Sequence, residues 1–272
     1  MPPPVLRVPR SAWRGTGCAQ GERAIPEETA IAFTFNTASY AVMMATPQDL
    51  EDFAVGFSLT EGIISSLDAI EGIDIVDQDV GIELRIWLRA PYATEFLGRR
   101  RKIAGPTGCG LCGIETLTEA MRPPPDVGHG LVFTPDQIMT AMDLLSPLQL
   151  LNQETRAVHA AGFWEPKRGL VALREDVGRH NALDKLAGAL TREGSSAKDG
   201  LVILTSRVSV EMVQKSAAIG APIIAAVSAP TALAVRMADA AGMTLIAIAR
   251  KDGFEVFTHP HRVNADVASH VA

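Results

Sequence analysis

The chain has 272 residues, of which 47% are hydrophobic and 21% are charged, and its formal net charge at pH 7 is −6. This composition excludes an intrinsically disordered chain and allows one large or two modest domains. The negative net charge disfavours general binding to nucleic-acid backbones, so no nucleic-acid partner is expected. The start of the chain lacks the apolar segment of a signal peptide, and no apolar run is long enough to span a bilayer. We therefore expect a cytoplasmic protein without a membrane span.

The first part of the chain predicts an α+β subdomain. Residues 1–29 are expected to be an extended, poorly ordered lead-in, because they are rich in proline. Thr46 and Pro47 are typical of an N-cap and a first helical position, and they predict a helix that runs to about Gly62. Strands are predicted at residues 30–36, 40–45, 73–76 and 82–88, the last two as a hairpin. The subdomain is assigned to residues 30–130, since the three prolines of residues 121–130 suit a linker.

The second part, residues 131–272, has the pattern of a three-layer α/β/α domain. Thr134 begins a capping sequence for a helix, with Gln137 at its third position. Short apolar runs at residues 170–173, 201–204, 223–227 and 245–249 predict strands buried on both faces, and they alternate with helical patterns at residues 181–192, 210–219 and 231–241. This alternation predicts a mostly parallel sheet with ligands at the carboxyl ends of its strands.

Cys109 and Cys112 form a Cys-x-x-Cys pair in the glycine-rich stretch GPTGCGLCGIETL. Such a pair can hold zinc, cycle between dithiol and disulfide, or carry sulfur as a persulfide. A zinc deaminase site would need Pro-Cys-x-x-Cys and His-x-Glu, and a structural zinc site would need a second ligand pair, so no metal site is predicted. The glycines are unlike the stiff turn of a thioredoxin-type pair, and they favour a loop that delivers sulfur between two places.

Two strand-to-helix junctions carry polar residues that packing does not require. In REDVGRHNALDK, residues 174–185, Arg179 can bind phosphate beside a helix N-terminus, and Asp176 or Asn181 can read a purine or ribose edge. Helix capping by Asp176 is the alternative. Ser206 and Arg207 follow the next buried strand. Two such junctions on one sheet indicate a nucleotide-like ligand. His159, taken alone, is interpreted as structural.

With these motifs the chain resembles the formate dehydrogenase accessory sulfurtransferase family, FdhD. The motifs that carry the resemblance are TPQDLEDFAVGFSLTEGII (46–64), GPTGCGLCG (105–113), REDVGRHNALDK (174–185), SRVSVEMVQKSAAIGAPIIAAVSAPTALAV (206–235) and FEVFTHPHR (254–262). The resemblance implies a fold similar to cytidine deaminases, with an added N-terminal subdomain, in a homodimer.

The resemblance also implies a function and a set of site residues. It implies a carrier that accepts sulfur from a cysteine desulfurase as a persulfide on Cys109, with Cys112 as its companion. The sulfur then passes to the bis-molybdopterin guanine dinucleotide cofactor, with molybdenum or tungsten, that formate dehydrogenase requires. The cofactor-binding residues are expected to be Phe254, Glu255, Val256, Phe257, Thr258 and His259, together with Arg179, His180, Asn181, Ser206 and Arg207. A non-catalytic chaperone that binds the cofactor and a dithiol oxidoreductase remain as alternatives.

One position departs from the family pattern. The family usually has Thr-Gly-Gly or a close variant before the histidine, whereas this chain has Thr155-Arg156-Ala157-Val158-His159. Arg156 therefore replaces an expected small residue, and contact of Arg156 with a phosphate is one interpretation.

Overall fold

The computed structural model describes residues 1–100 and 121–264. Cys109 and Cys112 lie outside these residues. The strands are β1 (Val5–Arg14), β2 (Gly17–Pro26), β3 (Thr29–Phe35), β4 (Ala38–Ala45), β5 (Ile70–Gln78), β6 (Gly81–Leu88), β7 (His159–Glu165), β8 (Gly169–Asp176), β9 (Leu201–Leu204), β10 (Ile223–Ala226), β11 (Thr244–Arg250) and β12 (Gly253–Thr258). The helices are α1 (Leu50–Thr60), α2 (Ala90–Arg100), α3 (Pro135–Asp143), α4 (Leu145–Leu148), α5 (Leu150–Thr155), α6 (Arg179–Glu193), α7 (Val210–Ala218) and α8 (Ala232–Ala240). Among these helices, none is long and apolar enough to cross a membrane.

The amino-terminal residues form a β-hairpin, which corrects the expectation of a poorly ordered lead-in. Strands β1 and β2 pair antiparallel along their whole length, from Val5 opposite Pro26 to Arg14 opposite Gly17. The proline-rich start and the many exposed positions hide the apolar alternation that usually indicates a strand. Here the strands are stabilised by pairing with each other rather than by burial of one face.

The N-terminal subdomain is a four-stranded sheet with helices α1 and α2 on one face. Its strand order is β4-β3-β6-β5, and the predicted hairpin is confirmed as β5 and β6. Phe33 stacks on Phe57 with ring centroids 4.0 Å apart, and Phe53 meets Phe33 edge-on at 4.9 Å. These rings belong to a buried cluster between the sheet and the helices, to which Phe96 of α2 also contributes. The subdomain therefore has its own core.

The predicted capping role of Thr46 is wrong. Helix α1 begins at Leu50, and its N-cap is Asp49, which has a left-handed backbone with φ of 54°. Instead, the hydroxyl of Thr46 accepts a hydrogen bond from the backbone N–H of Val177 at 3.1 Å. Thr46 thus joins the subdomain to the second half of the chain, a contact that local capping patterns cannot reveal.

The second half is a three-layer α/β/α domain around a six-stranded sheet, as predicted. Its strand order is β12-β11-β10-β9-β7-β8. Helices α6, α7 and α8 pack on one face, and α3 and α4 pack on the other. The predicted capping box of α3 is present, with Thr134 and Gln137 bonded reciprocally. The sheet is mixed rather than mostly parallel, because only β9, β10 and β11 run parallel, whereas β7, β8 and β12 pair antiparallel.

Buried ion pairs join α1 to the second domain. Nζ of Lys185 lies 2.7 Å from Oδ2 of Asp176, and both side chains are fully buried. Nζ of Lys215 lies 2.9 Å from Oδ1 of Asp184 and 2.8 Å from Oε1 of Glu61, which follows α1. Because a buried charge is tolerated only when it is paired and hydrogen-bonded, these contacts fix how α1, α6 and α7 lie against one another.

Candidate functional site

The carboxyl edge of the parallel strands brings together residues from three segments of the chain. Strand β7 runs antiparallel to β9, so His159 at its start lies at the same edge as the end of β9. His159 also pairs with Asp176 at the end of β8. Arg179 and His180 begin the helix that follows β8, and Glu211 lies in the first turn of the helix that follows β9. The carboxyl edge of the parallel strands is where α/β sheets usually bind ligands.

Two helices point their N-termini at this edge without a side-chain cap. The N-cap of α6 is Gly178, which has no side chain to accept a hydrogen bond. The N-cap of α7 is Ser209, whose side chain accepts no hydrogen bond from the helix. The first backbone N–H groups of a helix lack partners within the helix, and the helix dipole adds partial positive charge there. The edge is therefore suited to an anion such as a phosphate.

Arg179 and His180 hold polar atoms that the protein leaves without partners. Nε of Arg179 and Nε2 of His180 are both buried, and neither has a hydrogen-bond partner among the described residues. The nearest carboxylate to His180 is that of Glu211, with 3.9 Å between Nε2 and Oε2. Buried polar atoms in native proteins are nearly always hydrogen-bonded. These two therefore indicate a place where a ligand supplies the missing bonds.

Electrostatics keeps both histidines of the edge neutral. Burial and, after it, the positive charge of Arg179 lower the pKa of His180 to about 4, against the opposing effect of Glu211. Burial and Arg179 also lower the pKa of His159. A neutral imidazole has one N–H donor and one acceptor nitrogen. Near neutral pH, the edge thus combines the cationic Arg179 with imidazoles that can donate or accept a hydrogen bond.

Ser206 and Arg207 lie at the end of β9, as predicted. Ser206 is almost fully buried, and its hydroxyl donates to the carbonyl oxygen of Arg207 at 3.2 Å. Arg207 is exposed. Thr205 has a structural role, because its hydroxyl accepts from the backbone N–H of Ala160 at 2.8 Å. Of this junction, Arg207 is the side chain that remains available to a ligand at the surface.

Asn181 and Asp176 make hydrogen bonds inside the protein, and the expectation that one of them reads a purine or ribose edge stays a prediction. Nδ2 of Asn181 donates to the carbonyl oxygen of Met44 at 2.8 Å and to Oδ1 of Asp176 at 2.9 Å. Asp176 is fully buried and also accepts from the backbone N–H groups of Thr46 and Gly178, besides its ion pair with Lys185. These two side chains hold the start of α6 in place behind the edge.

The predicted C-terminal segment lies on the edge strand β12 and is not gathered at the same place. Gly253 pairs with Arg250 near the carboxyl end of β11, whereas Thr258 pairs with Leu245 near its start. Phe254 and Val256 pack toward the core, and Glu255 and Phe257 are exposed. His259 therefore lies at the opposite edge of the sheet from Arg179, with its Nε2 3.3 Å from Oδ1 of Asp239. Cofactor binding by residues 254–259 stays a prediction.

The edge also contains residues that the sequence interpretation did not assign to a site. The sequence alone indicates a structural role for His159 and assigns no role to Glu211. Their placement depends on the antiparallel pairing of β7 with β9. The local sequence around His159 does not predict that pairing. Arg156 ends α5 with a left-handed backbone, φ of 60°, and its side chain is exposed. That backbone explains why a glycine is expected at this position.

Comparisons with known proteins agree with this picture. The model of the FdhD/NarQ family matches residues 26–264. A curated relative from Agrobacterium fabrum, named sulfur carrier protein FdhD, is 52% identical over 263 residues, which cover 94% of this chain and 95% of the relative. A relative of the same name from Cupriavidus necator is 45% identical and covers 95% of this chain and 90% of its own length.

A solved structure supports the same assignment. It is described as that of a candidate formate dehydrogenase accessory protein from Desulfotalea psychrophila. It superimposes with a TM-score of 0.74 at 26% sequence identity, over 96% of this chain and 100% of the other. The family match spans most of the sequence, and the solved structure has the same fold. The chain belongs to the FdhD/NarQ family.

Proposed function

We propose that the protein is a sulfur carrier that serves formate dehydrogenase by sulfurating its bis-molybdopterin guanine dinucleotide cofactor. The relatives that are named sulfur carrier proteins support the carrier role. The cysteine pair, Cys109 and Cys112, supplies the thiols that such a role needs. The cofactor, with molybdenum or tungsten, is the substrate of the reaction, and a cysteine desulfurase is the sulfur donor.

The observation that carries this proposal is the pair of unpartnered atoms on Arg179 and His180. A guanine dinucleotide has a pyrophosphate that suits Arg179 and the free N–H groups of the two helix N-termini. It also has a base with hydrogen-bond donors and acceptors that suit a neutral imidazole and the carboxylate of Glu211. The ligand would thus satisfy both buried atoms. An anion alone would leave the neutral His180 without a function.

The proposed sulfur transfer balances without an external oxidant. The thiolate of Cys109 attacks the terminal sulfur of the donor's persulfide, the donor's sulfur–sulfur bond breaks, and the donor leaves as a thiolate. The persulfide is then on Cys109. Attack by the thiolate of Cys112 on the inner sulfur releases the terminal sulfur as sulfide and leaves a disulfide between the two cysteines. Two electrons from the cysteine pair thus reduce the delivered sulfur.

The alternative is a chaperone that binds the cofactor and carries no sulfur. Its support is the pair of buried, unpartnered atoms on Arg179 and His180, which a protein that only binds the cofactor would also need. The two functions can be separated in cells whose chromosomal gene for this protein is deleted. Variants of the protein are supplied to these cells, and the formate dehydrogenase activity that each variant restores is measured. The sulfur carrier predicts failure of Cys109→Ala/Cys112→Ala and success of Cys18→Ala, a matched thiol control. Full restoration by the double variant would leave the chaperone as the better account.

Binding to the edge is tested separately with guanosine diphosphate, which contains the base and pyrophosphate of half of the cofactor. We expect Arg179→Ala to weaken its binding at least tenfold by isothermal titration calorimetry, since a charge-assisted contact to phosphate is lost. Arg168→Ala is the control, because Arg168 lies in the turn between β7 and β8 at the other edge of the sheet. Equal affinity of the wild type and the two variants would exclude the edge as the nucleotide site.

We also propose that the protein is a homodimer in the cytoplasm.

A further inference from the structure

The hairpin of β1 and β2 projects from the protein, and we call residues 5–26 the arm. Its base contacts the rest of the chain near the end of α5. A guanidinium nitrogen of Arg7 lies 3.7 Å from Oε1 of Glu154, Nη2 of Arg23 donates to the carbonyl oxygen of Thr155 at 3.3 Å, and Ala24 is buried. The family model begins at residue 26, so the arm precedes the region that the family model covers.

The far end of the arm is open to solvent. Trp13 is 72% exposed and pairs across the hairpin with the exposed Cys18. Each strand has 10 residues, which corresponds to about 33 Å at roughly 3.3 Å per residue. A two-stranded hairpin alone is only marginally stable in water, and a large exposed aromatic side chain often marks a contact surface. The arm thus has the features of an element that is stabilised by contact with a partner.

The charge of the arm is opposite to that of the rest of the protein. The arm carries four arginines, Arg7, Arg10, Arg14 and Arg23, against the single acid Glu22, which gives a net charge of +3. Because the whole chain has −6, the remaining residues have −9. Arg10 and Arg14 lie on one face together with Leu6 and Val8, since alternate residues of a strand share a face. This face combines positive charge with apolar surface.

The N-terminal subdomain offers a complementary surface. Residues 24–84 contain twelve Asp and Glu residues and no Lys, Arg or His. Four of these acids, Glu71, Asp74, Asp77 and Asp79, are exposed on β5 or in the turn after it. Strand β5 is an edge of its sheet, so its outer side has no paired strand among the described residues. The surface is therefore acidic and unpaired on its outer side, apart from the contact of the amino terminus with Asp77.

We infer that the arm docks on the acidic β5 edge of a second copy of this chain. Within its own chain, the arm makes contacts at its base. The acidic β5 edge, which complements the positive charge of the arm, is present on every other copy. A reciprocal exchange of arms uses the same two surfaces twice, as a two-fold symmetric dimer requires. The net charge of −9 on the remaining residues repels the extended negative charge of a nucleic acid or an anionic membrane, whereas the acidic surface of β5 on a second copy is local. This inference gives the proposed homodimer a defined interface and is independent of sulfur transfer.

Charge reversal tests the inference in the full-length protein by sedimentation velocity. The arm variant is Arg10→Glu/Arg14→Glu, and the β5 variant is Glu71→Lys/Asp79→Lys. Asp74 and Asp77 are left unchanged because they bind Trp87 and the amino terminus of their own chain. The control is Lys167→Glu/Lys198→Glu, which reverses two exposed charges on the second domain. We expect dimers for the wild type and the control, and at least tenfold weaker association for each test variant.

Mixing the two variants separates docking from damage to the fold. The reversed arm of one variant faces the reversed β5 edge of the other, and the two unreversed surfaces also meet. The mixture should therefore dimerise although neither variant does so alone. Dimerisation of the arm variant as tight as that of the wild type, a monomeric wild type, or a mixture that stays monomeric would each overturn the inference. Binding of anionic vesicles or single-stranded DNA by the wild type, lost in the arm variant while its dimer persists, would assign the arm to a polyanion instead.

Discussion

Gly56 and Gly188 bring the backbones of α1 and α6 into direct contact. A Cβ atom on Gly56 would lie 1.6 Å from the carbonyl oxygen of Asp184, and one on Gly188 would lie 1.8 Å from that of Asp52. No side chain fits between the two helices at this crossing. Since α6 begins with Arg179 and His180, the crossing also determines where the site residues lie relative to the N-terminal subdomain.

We predict that Gly56→Ala and Gly188→Ala each destabilise the protein by more than about 3 kcal/mol, because the added methyl group can be accommodated only if the helices separate. Urea denaturation monitored by circular dichroism measures the change. Gly21→Ala is the control, since a Cβ atom there has no neighbour within 4 Å. Variants at the crossing as stable as this control would contradict the close contact of α1 and α6.

The burial of His180 predicts a loss of stability in acid. Its folded pKa, about 4, is depressed below the ordinary 6.5, mainly by burial and then by Arg179. The unfolded state therefore takes up the proton first as the pH falls from 6.5 to 4. Relative to His180→Gln, the wild type should lose up to about 3 kcal/mol across this window and nothing above pH 7. Denaturation curves at several pH values measure the difference, and parallel pH profiles would show that His180 is not buried in the neutral form.

The burial of Asp184 predicts the opposite pH dependence. Burial raises the pKa of Asp184 from 3.8 to about 6, against the opposing effect of Lys215. Because the pKa of Asp184 is higher in the folded state, protonation of Asp184 stabilises the fold. This stabilisation is fully present below pH 3.8 and is lost as the pH rises through 6. The wild type should thus gain stability relative to Asp184→Asn as the pH falls from 6 to 4. A wild type that loses stability relative to Asp184→Asn in this window would contradict the assignment.

Arg156 predicts a stabilising substitution. Its φ of 60° is a left-handed conformation that an L side chain adopts at a cost of about 1–2 kcal/mol and that glycine adopts freely. Arg156→Gly should raise the free energy of unfolding by about 1 kcal/mol. Arg156→Ala keeps the side-chain penalty and serves as the control. A glycine variant that is less stable than the alanine variant would contradict the backbone strain, because both variants lack the guanidinium group.

The sequence predicted the second domain well because each of its central strands is a continuous apolar run. Residues 201–204 and 223–226 are buried between helices on both faces, so their burial is visible as an apolar run in the sequence. Strand direction was harder to predict. The antiparallel β7 is set by its pairing with β8 and β9, which its own composition does not specify.

The site was only partly predictable for the same reason. The junction after β8 identified Arg179 and His180 from the excess of polar residues. It also suggested Asn181, whose side chain donates to Met44 of β4 in a contact between residues far apart in the chain. Thr46 was misinterpreted as a helix cap, since it bonds to Asp176 and Val177 across the boundary between the two halves. Local patterns identify polar clusters but do not separate ligand-binding side chains from those that join domains.

The most direct test of the proposed sulfur carrier is intact-mass spectrometry of the purified protein after incubation with a cysteine desulfurase and cysteine. The wild type should gain the mass of one sulfur atom, removable by a reductant, because the thiolate of Cys109 accepts a persulfide sulfur. Cys109→Ala should gain none, and Cys18→Ala should behave as the wild type. Absence of the gain in the wild type, under conditions that load another sulfur acceptor, would contradict the sulfur carrier and favour the cofactor-binding chaperone.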